Sequence, residues 1–393
     1  MKIDPYKHKE VYLNWKEKVK DGISEVNKEN SNLILQYIGD MEYGINISTG
    51  NRKGARSYSR LNNLRQRMVF LAKAFQNKFE ISSLVDVTER ELHEYFALMR
   101  KGVITTKTGK KYKSTADYIK VFKAFWHWHQ KVNRKEGKDI QDITIDLDTR
   151  TEKPKWVYLT EDQIKELCNK AKYEYKVLIM FLFDSGIRSP TELINIRVSD
   201  LYNDCKELHI RDEISKTFGR KIKLMFCSEL LKGYISSKEL GEDDQVFGIY
   251  PASVNQYLRR LSERVFGKKE SLAGETYDKL TMYDFRHCSC CYWLPRYKSE
   301  SALKFRFGWK KSDKIHYYSE MLGMRDTIQE EDMLVDVTKT ELEKRLTKTE
   351  HENEMMKDEM KALREQSQKM MELVQNLQGN IIKSGEVGVF DVV

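Results

Sequence analysis

Apolar residues along this chain recur mostly at helical spacing. Over residues 59–75, Leu61, Leu64, Met68, Leu71 and Phe75 share one face and predict an amphipathic helix. Thr88-Glu89-Arg90-Glu91 has the form of a capping box, so a second helix starts there and stops at Gly102. After a polar loop, Ser114 or Thr115 can cap a third helix over 116–132, which carries Phe122, Phe125, Trp126 and Trp128. Residues 133–156 are polar, carry both signs of charge and contain Pro154, a composition that suits a linker. Thr160 and Gln163 make another capping box, and the apolar run 175–187 predicts a buried helix turning at Gly186. Strand-like alternation occurs in two short runs, 207–212 and 220–226. They flank Ser215-Lys216-Thr217-Phe218-Gly219 and predict a β-hairpin with a glycine-containing turn. Helical segments follow to about residue 325. The predicted class is mainly α with a small β-sheet (α+β).

From Leu342 the pattern changes. Leu342, Leu346, Thr349, Asn353, Met356, Met360, Leu363, Ser367, Met370, Val374 and Leu377 are separated by alternating steps of four and three, a heptad seam unbroken by Pro or Gly before Gly379. The polar and methionine positions make the seam loose. It fits an intermolecular coiled coil, or a helix that packs back on its own chain or stands alone.

At 393 residues and 40% hydrophobic content, two or three domains with real cores are expected. The net charge of +9 favours a polyanionic partner, nucleic acid first and an acidic membrane surface second. No apolar run reaches the roughly 18–20 residues that span a bilayer, and the N-terminal stretch has no signal-peptide core, so a cytoplasmic protein is expected. Six irregularly spaced cysteines make a disulfide framework improbable. Their one cluster, His287-Cys288-Ser289-Cys290-Cys291, lacks a CxxC pair, so thiols packed inside a helix are expected in preference to zinc. For the aromatic helix at 116–132 the choice is a base-stacking platform or a core; duplex DNA offers no unstacked bases, which favours the core.

Arg188, Lys216, Tyr283-x-x-Arg286-His287, Trp309 and Tyr318 follow one another over one stretch. Together they suit attack by a tyrosine hydroxyl on a DNA phosphodiester, with cations holding the phosphorus-bound oxygens as negative charge builds. A planar guanidinium can donate two parallel hydrogen bonds to a phosphate. A mobile ammonium can protonate a departing alkoxide. The Tyr283 phenol can donate to a phosphate but is a poor base at neutral pH, which leaves His287 as the better-placed titrating group or, equally, a packed histidine.

These boxes resemble those of the tyrosine recombinases, the phage and archaeal integrase family. FDSGIRSPTELINIRVSDL is similar to the first arginine box, with Arg188 as the catalytic arginine. The family's acidic partner follows by three residues, whereas Glu192 follows by four with Pro190 between, leaving open whether Glu192 braces Arg188. Lys216 stands where recombinases place the lysine that protonates the leaving 5′ oxygen. In LTMYDFRHCSCCYWL, Arg286 matches the second arginine and His287 the residue after it, while Tyr283 replaces the usual His or Lys. In LKFRFGWKKSDKIHYYSEM, Gly308-Trp309 matches the third box, and the family's tyrosine nine residues beyond falls on Tyr318, with Tyr317 as competitor.

The resemblance covers about 157–325 well and 30–135 more loosely. It implies a helical core-binding domain at 30–135 and a catalytic domain at 157–328, joined by the linker at 136–156. Outside the resemblance, the sequence pattern adds an N-terminal helical extension at 1–29, a candidate coiled coil at 329–379 and a flexible tail at 380–393. Lys107, Lys110, Lys111 and Lys113 are expected on DNA phosphates. The implied activity is site-specific recombination of double-stranded DNA through a 3′-phosphotyrosyl link, integrating or excising a mobile element. No cofactor, metal, small-molecule substrate or membrane is called for, and a homo-oligomer, a tetramer on paired sites, is expected. Type IB topoisomerase-like strand relaxation and a catalytically inactive DNA-binding derivative are the alternatives.

Overall fold

The computed structural model describes residues 2–45, 54–297 and 299–321, together with scattered helical positions between Leu346 and Gln368. It divides into two compact units, Met1–Leu322 and Gly323–Val393. Within the first unit lie two separate hydrophobic cores, one from Tyr12 to Leu147 and one from Trp156 to Tyr318.

The first core is helical throughout: α1 (His8–Lys18), α2 (Lys28–Tyr43), α3 (Tyr58–Phe79), α4 (Glu89–Lys101) and α5 (Thr115–Lys135). Asn27, Ser57 and Thr88 cap α2, α3 and α4 with side-chain oxygens, and Thr88 with Glu91 closes the expected box. The start of α5 differs from expectation. Ser114 occupies the N-cap at φ −107 and ψ 23, away from the extended backbone that lets a hydroxyl reach the first turn, and makes no side-chain cap. Thr115 Oγ1 donates instead to the Tyr112 carbonyl at 3.2 Å.

Phe122, Phe125, Trp126 and Trp128 are buried, which settles them as core. Their polar edges are satisfied, Trp126 Nε1 by the Gln141 carbonyl at 2.9 Å and Trp128 Nε1 by Asp40 at 2.9 Å. Tyr12, Val19 and Ile23 from the N-terminal stretch join the same core. Further N-terminal, Ile3 exchanges backbone hydrogen bonds with the Asn195 side chain at 2.6 and 3.0 Å.

The second core gathers α6 (Glu161–Lys170), α7 (Tyr173–Ser185), a sheet, α8 (Ser228–Ser237), α9 (Pro251–Phe266), α10 (Met282–Trp293), α11 (Glu300–Phe307) and α12 (Asp313–Met321). Thr160 and Gln163 box the start of α6 as expected, and Gly186 ends α7 in the left-handed region at φ 59. The sheet is antiparallel in the order β1 (Leu201–Tyr202), β2 (Glu207–Ile210), β3 (Arg220–Lys223), with Ile210 opposite Arg220 and Leu208 opposite Ile222. The two-residue β1 is too short to carry an alternation signal. β3 stops at Lys223, short of the expected run, because the amides of Met225, Phe226 and Cys227 all donate to the buried Asp184 carboxylate.

The segment after α5 is pinned down. His127 and Gln130 of α5 bond Asp142 and the Ile140 carbonyl, and Arg100 reaches the Asp148 carbonyl at 2.6 Å. Of the heptad seam, Leu346, Thr349, Met356, Met360, Leu363 and Ser367 are helical, and Leu346, Met356, Met360 and Leu363 are mostly exposed. Leu342, Asn353, Met370, Val374, Leu377 and the 380–393 tail lie outside the described residues. Among the described residues, no helix is long and apolar enough to cross a membrane.

Candidate active site

Helix ends and one strand bring Arg188, Arg220 and Arg286 together. Arg188 follows the glycine that terminates α7; its Nη1 donates to Glu192 Oε1 at 2.7 Å and its backbone N–H to Glu192 Oε2 at 2.9 Å. The one-residue displacement of Glu192 therefore does not separate it from Arg188. Nη2 of Arg188 donates to the Gly308 carbonyl at 2.7 Å and to Thr217 Oγ1 at 3.3 Å. Arg220 points inward from β3 and forks onto both Glu192 oxygens, at 3.2 and 2.9 Å. Burial by itself would push the Glu192 carboxyl up, but Arg220 foremost, then Arg188, outweigh it and hold the carboxyl at about 2. Arg286, on α10, donates to the carbonyls of Gly186 and Phe307. Burial, followed by the neighbouring Arg188 charge, lowers it to about 10, so it stays protonated at neutral pH.

Tyr318 lies on α12 with only 3% of its surface exposed. Its hydroxyl is hydrogen-bonded to His287 Nδ1. The ring stacks on Trp309 at 5.9 Å and 12° between planes, and Trp156 meets it edge-on at 6.2 Å. Burial pushes this hydroxyl well above the ordinary tyrosine value while Arg286 pulls the other way, so in this arrangement the group is a neutral phenol. Tyr317 has a different setting: its hydroxyl accepts from Trp156 Nε1 at 2.8 Å and donates to the Pro154 carbonyl at 3.1 Å.

Tyr283 is half-exposed one turn before His287 and meets it edge-on at 5.1 Å. Trp309 also stacks on Phe307, with the Arg286 guanidinium 5.9 Å from its ring. Lys216 is exposed on the β2–β3 loop; its neighbour Thr217 joins the cluster by donating to the Gly308 carbonyl at 2.8 Å. Lys107, Lys110, Lys111 and Lys113 are all exposed on the loop before α5, and Lys111 pairs with Glu152 at 3.1 Å. Cys288, Cys290 and Cys291 are buried in α10, where loss of solvent raises all three thiols. Among the described residues no group of His, Cys, Asp and Glu is arranged to hold a metal.

Sequence reasoning passed over Trp156, Thr217 and Arg220. Trp156 stacks on His287 at 4.7 Å, and its only sequence signal was an indole closing a polar stretch. Arg220 did leave a signal. In Arg220-Lys221-Ile222-Lys223 it shares a face with Ile222, and a charge in the inward register of a strand implies a buried partner.

A family model described as "Phage integrase family" matches residues 157–323. No curated protein matches the sequence. The fold is similar to that of the Tn1549 transposon integrase in complex with transposon right end DNA, with a TM-score of 0.53 at 14% identity, covering 77% of this chain and 96% of that one. A lambda integrase tetramer bound to a Holliday junction gives 0.54 at 14% identity, covering 84% of each chain. XerH recombinase on a palindromic difH substrate gives 0.52 at 14%, covering 67% of this chain and 77% of that one. At such identities these structures speak for the fold.

Proposed function

We propose, from the phage integrase family domain that residues 157–323 form, that the protein is a site-specific tyrosine recombinase. It cuts and rejoins duplex DNA in the integration or excision of a mobile element. The observation that carries this reading is the convergence of Arg188, Arg286 and His287 with the Tyr318 hydroxyl and its Trp309 lid.

The Tyr318 oxygen attacks the scissile phosphorus while its proton passes toward His287 Nδ1, the nitrogen already hydrogen-bonded to it. Arg188 and Arg286 stabilise the charge that builds on the non-bridging oxygens, helped by Trp309 and Tyr283. Lys216 swings in from its exposed loop to protonate the leaving 5′ oxygen. A 3′-phosphotyrosyl bond and a free 5′-hydroxyl result. The link conserves the phosphoester, so a 5′-hydroxyl from another strand reverses the attack without ATP. The inactive-derivative reading rested partly on the displaced Glu192, and its contact with Arg188 removes that ground.

In this reading the helical region 30–135 is the core-binding domain, 136–156 the linker and 157–328 the catalytic domain. The helices of both domains close around DNA, and Lys107, Lys110, Lys111 and Lys113 neutralise phosphates. Four copies assemble on paired sites in the cytoplasm, with the heptad segment 329–379 joining protomers.

The DNA ends flanking its gene, sequenced for direct repeats, supply the substrate, nicked so that the fragment bearing the 5′-hydroxyl diffuses away and traps the covalent adduct. Tyr318→Phe should abolish the adduct on denaturing gels with DNA affinity nearly unchanged, since one hydroxyl is lost. Loss with Tyr317→Phe and retention with Tyr318→Phe would move the nucleophile by one residue. No adduct from the unaltered protein would refute the enzymatic reading.

A further inference from the structure

We propose that Arg220 is a positioning residue for strand cleavage, holding Glu192 and Gly308 so that Arg188 keeps its aim on the scissile phosphate. The inference rests on the recombinase reading above and adds to it Arg220, which lies outside the sequence boxes compared above.

Two observations place Arg220 at the root of Arg188. Its guanidinium forks onto both oxygens of Glu192, with both side chains wholly inaccessible to solvent. The same guanidinium lies against Gly308, where an added Cβ would come 2.9 Å from Arg220 Nη1 and 3.1 Å from its Cζ. Arg220 Nε is anchored in turn on the Arg306 carbonyl at 2.9 Å. Arg188 is held by two groups besides Thr217, the Glu192 carboxylate and the Gly308 carbonyl. Arg220 bonds the first and lies beside the residue that carries the second.

A buried ion pair is a poor choice for stability alone, because an apolar side chain of similar volume is commonly as stabilising. An apolar residue could fill this inward β3 position beside Ile222. What it could not do is offset the negative charge of Glu192. During cleavage Arg188 shares its charge with a phosphorane of growing negative charge, and an uncompensated carboxylate directly behind it would oppose that charge. Arg220 supplies the compensating cation and, through its fork, fixes the carboxylate plane that orients Arg188. The charged groups facing this cluster are Arg188 and Glu192 from the loop after α7, Arg220 from β3 and Arg286 from α10, with the Tyr283 phenol beside Arg286.

The test is the rate constant of covalent-adduct formation at saturating nicked DNA from pH 5 to 8, recorded separately from its amplitude. Misfolding lowers the amplitude, whereas misaimed Arg188 lowers the rate constant. Arg220→Gln should slow the rate about tenfold to a hundredfold, the scale of a small misplacement of a reacting group, with DNA affinity within about twofold. Relative to the unaltered protein, which shares the titration of His287, that deficit should shrink as pH falls and Glu192, stripped of its main cation, takes up a proton. That pH dependence of the deficit should vanish in Glu192→Gln/Arg220→Gln, which has no carboxyl to titrate.

Arg220→Lys keeps the charge and loses the fork, so its deficit should be the same at every pH; it also carries the test if Arg220→Gln does not fold. Unaltered rate constants in Arg220→Lys, or a deficit that still varies with pH in the double variant, would overturn the inference while leaving the recombinase reading intact. An unaltered protein that forms no adduct overturns both.

Discussion

Gly186 sits where a single methyl group should disturb the whole arginine cluster. It ends α7 at φ 59, and an added Cβ would lie 2.5 Å from Phe307 Cε1 and 2.8 Å from Ser289 Oγ. Its carbonyl is also one of the two acceptors of Arg286. For Gly186→Ala, the left-handed backbone costs about 1 kcal/mol. Forcing a methyl against a buried ring costs about 1–3 kcal/mol more, since neither Phe307 nor Ser289 is free to withdraw. The sum, about 2–4 kcal/mol, corresponds to a drop of roughly 4–16 °C in the melting temperature of a domain this size.

Gly102→Ala is the control. That glycine also ends a helix at φ 79, but its added Cβ would meet only the flexible Lys111 side chain at 3.4 Å. It should cost only the backbone part, about 1 kcal/mol. Calorimetry on each variant against the unaltered protein reads the two costs. Because the ring of Phe307 must move and its carbonyl holds the other half of Arg286, adduct formation by folded Gly186→Ala should also slow. Equal destabilisation of the two variants would refute the close-packing argument.

Lys216→Ala should slow cleavage of an ordinary substrate about 10²-fold, and a 5′-bridging sulfur, which leaves without a proton, should restore most of the rate. Equal slowing on both substrates rules out the acid role. The Glu192 carboxyl is held at about 2 in the folded chain against about 4.3 when unfolded, so its contribution to stability is complete above the unfolded value and is lost as pH falls toward 2. Glu192→Gln should therefore be less stable at neutral pH yet lose less stability in denaturant titrations between pH 4.5 and 2.5, and an unchanged slope refutes the pairing. Cutting the chain after about residue 330 should spare single-site cleavage but weaken assembly on paired sites, as read by light scattering and a two-site recombination assay; full recombination by the truncated chain removes the coiled coil from the reading.

Features encoded within a few residues were legible from the sequence. The boxes at Thr88 and Thr160, the glycine stop at Gly186 and the hairpin around residues 207–223 all stand where local chemistry put them. Features that depend on distant partners were not. Trp156 meets Tyr317, Arg220 meets Glu192, and Asp184 collects the amides that end β3, each across a long stretch of chain. Ser114 failed as a cap because its backbone torsions, which composition does not specify, turn the hydroxyl away. Spacing alone left Glu192 open. Four residues did not decide whether it braces Arg188, and the intervening backbone brings both carboxylate oxygens onto that arginine.

The way the arginines are held bears directly on phosphate chemistry. Arg188, Arg220 and Arg286 converge with Glu192 as the one carboxylate bonded to them among the described residues, so the cluster keeps a positive surplus. Carbonyls at helix C-termini, with the Thr217 hydroxyl, hold the guanidiniums in the remaining places: Gly186 after α7, and Arg306, Phe307 and Gly308 at the end of α11. Unpaired carbonyls at a helix C-terminus carry partial negative charge, enough to orient a guanidinium without neutralising it. Left-handed glycines end both helices, at φ 59 and φ 60, and so turn the chain away at the point where those carbonyls are needed. A site braced by carboxylates would cancel the charge it has to offer a phosphate. One braced by helix ends keeps that charge and its aim together, which makes the two glycines as much a part of the proposed phosphate site as the arginines they position.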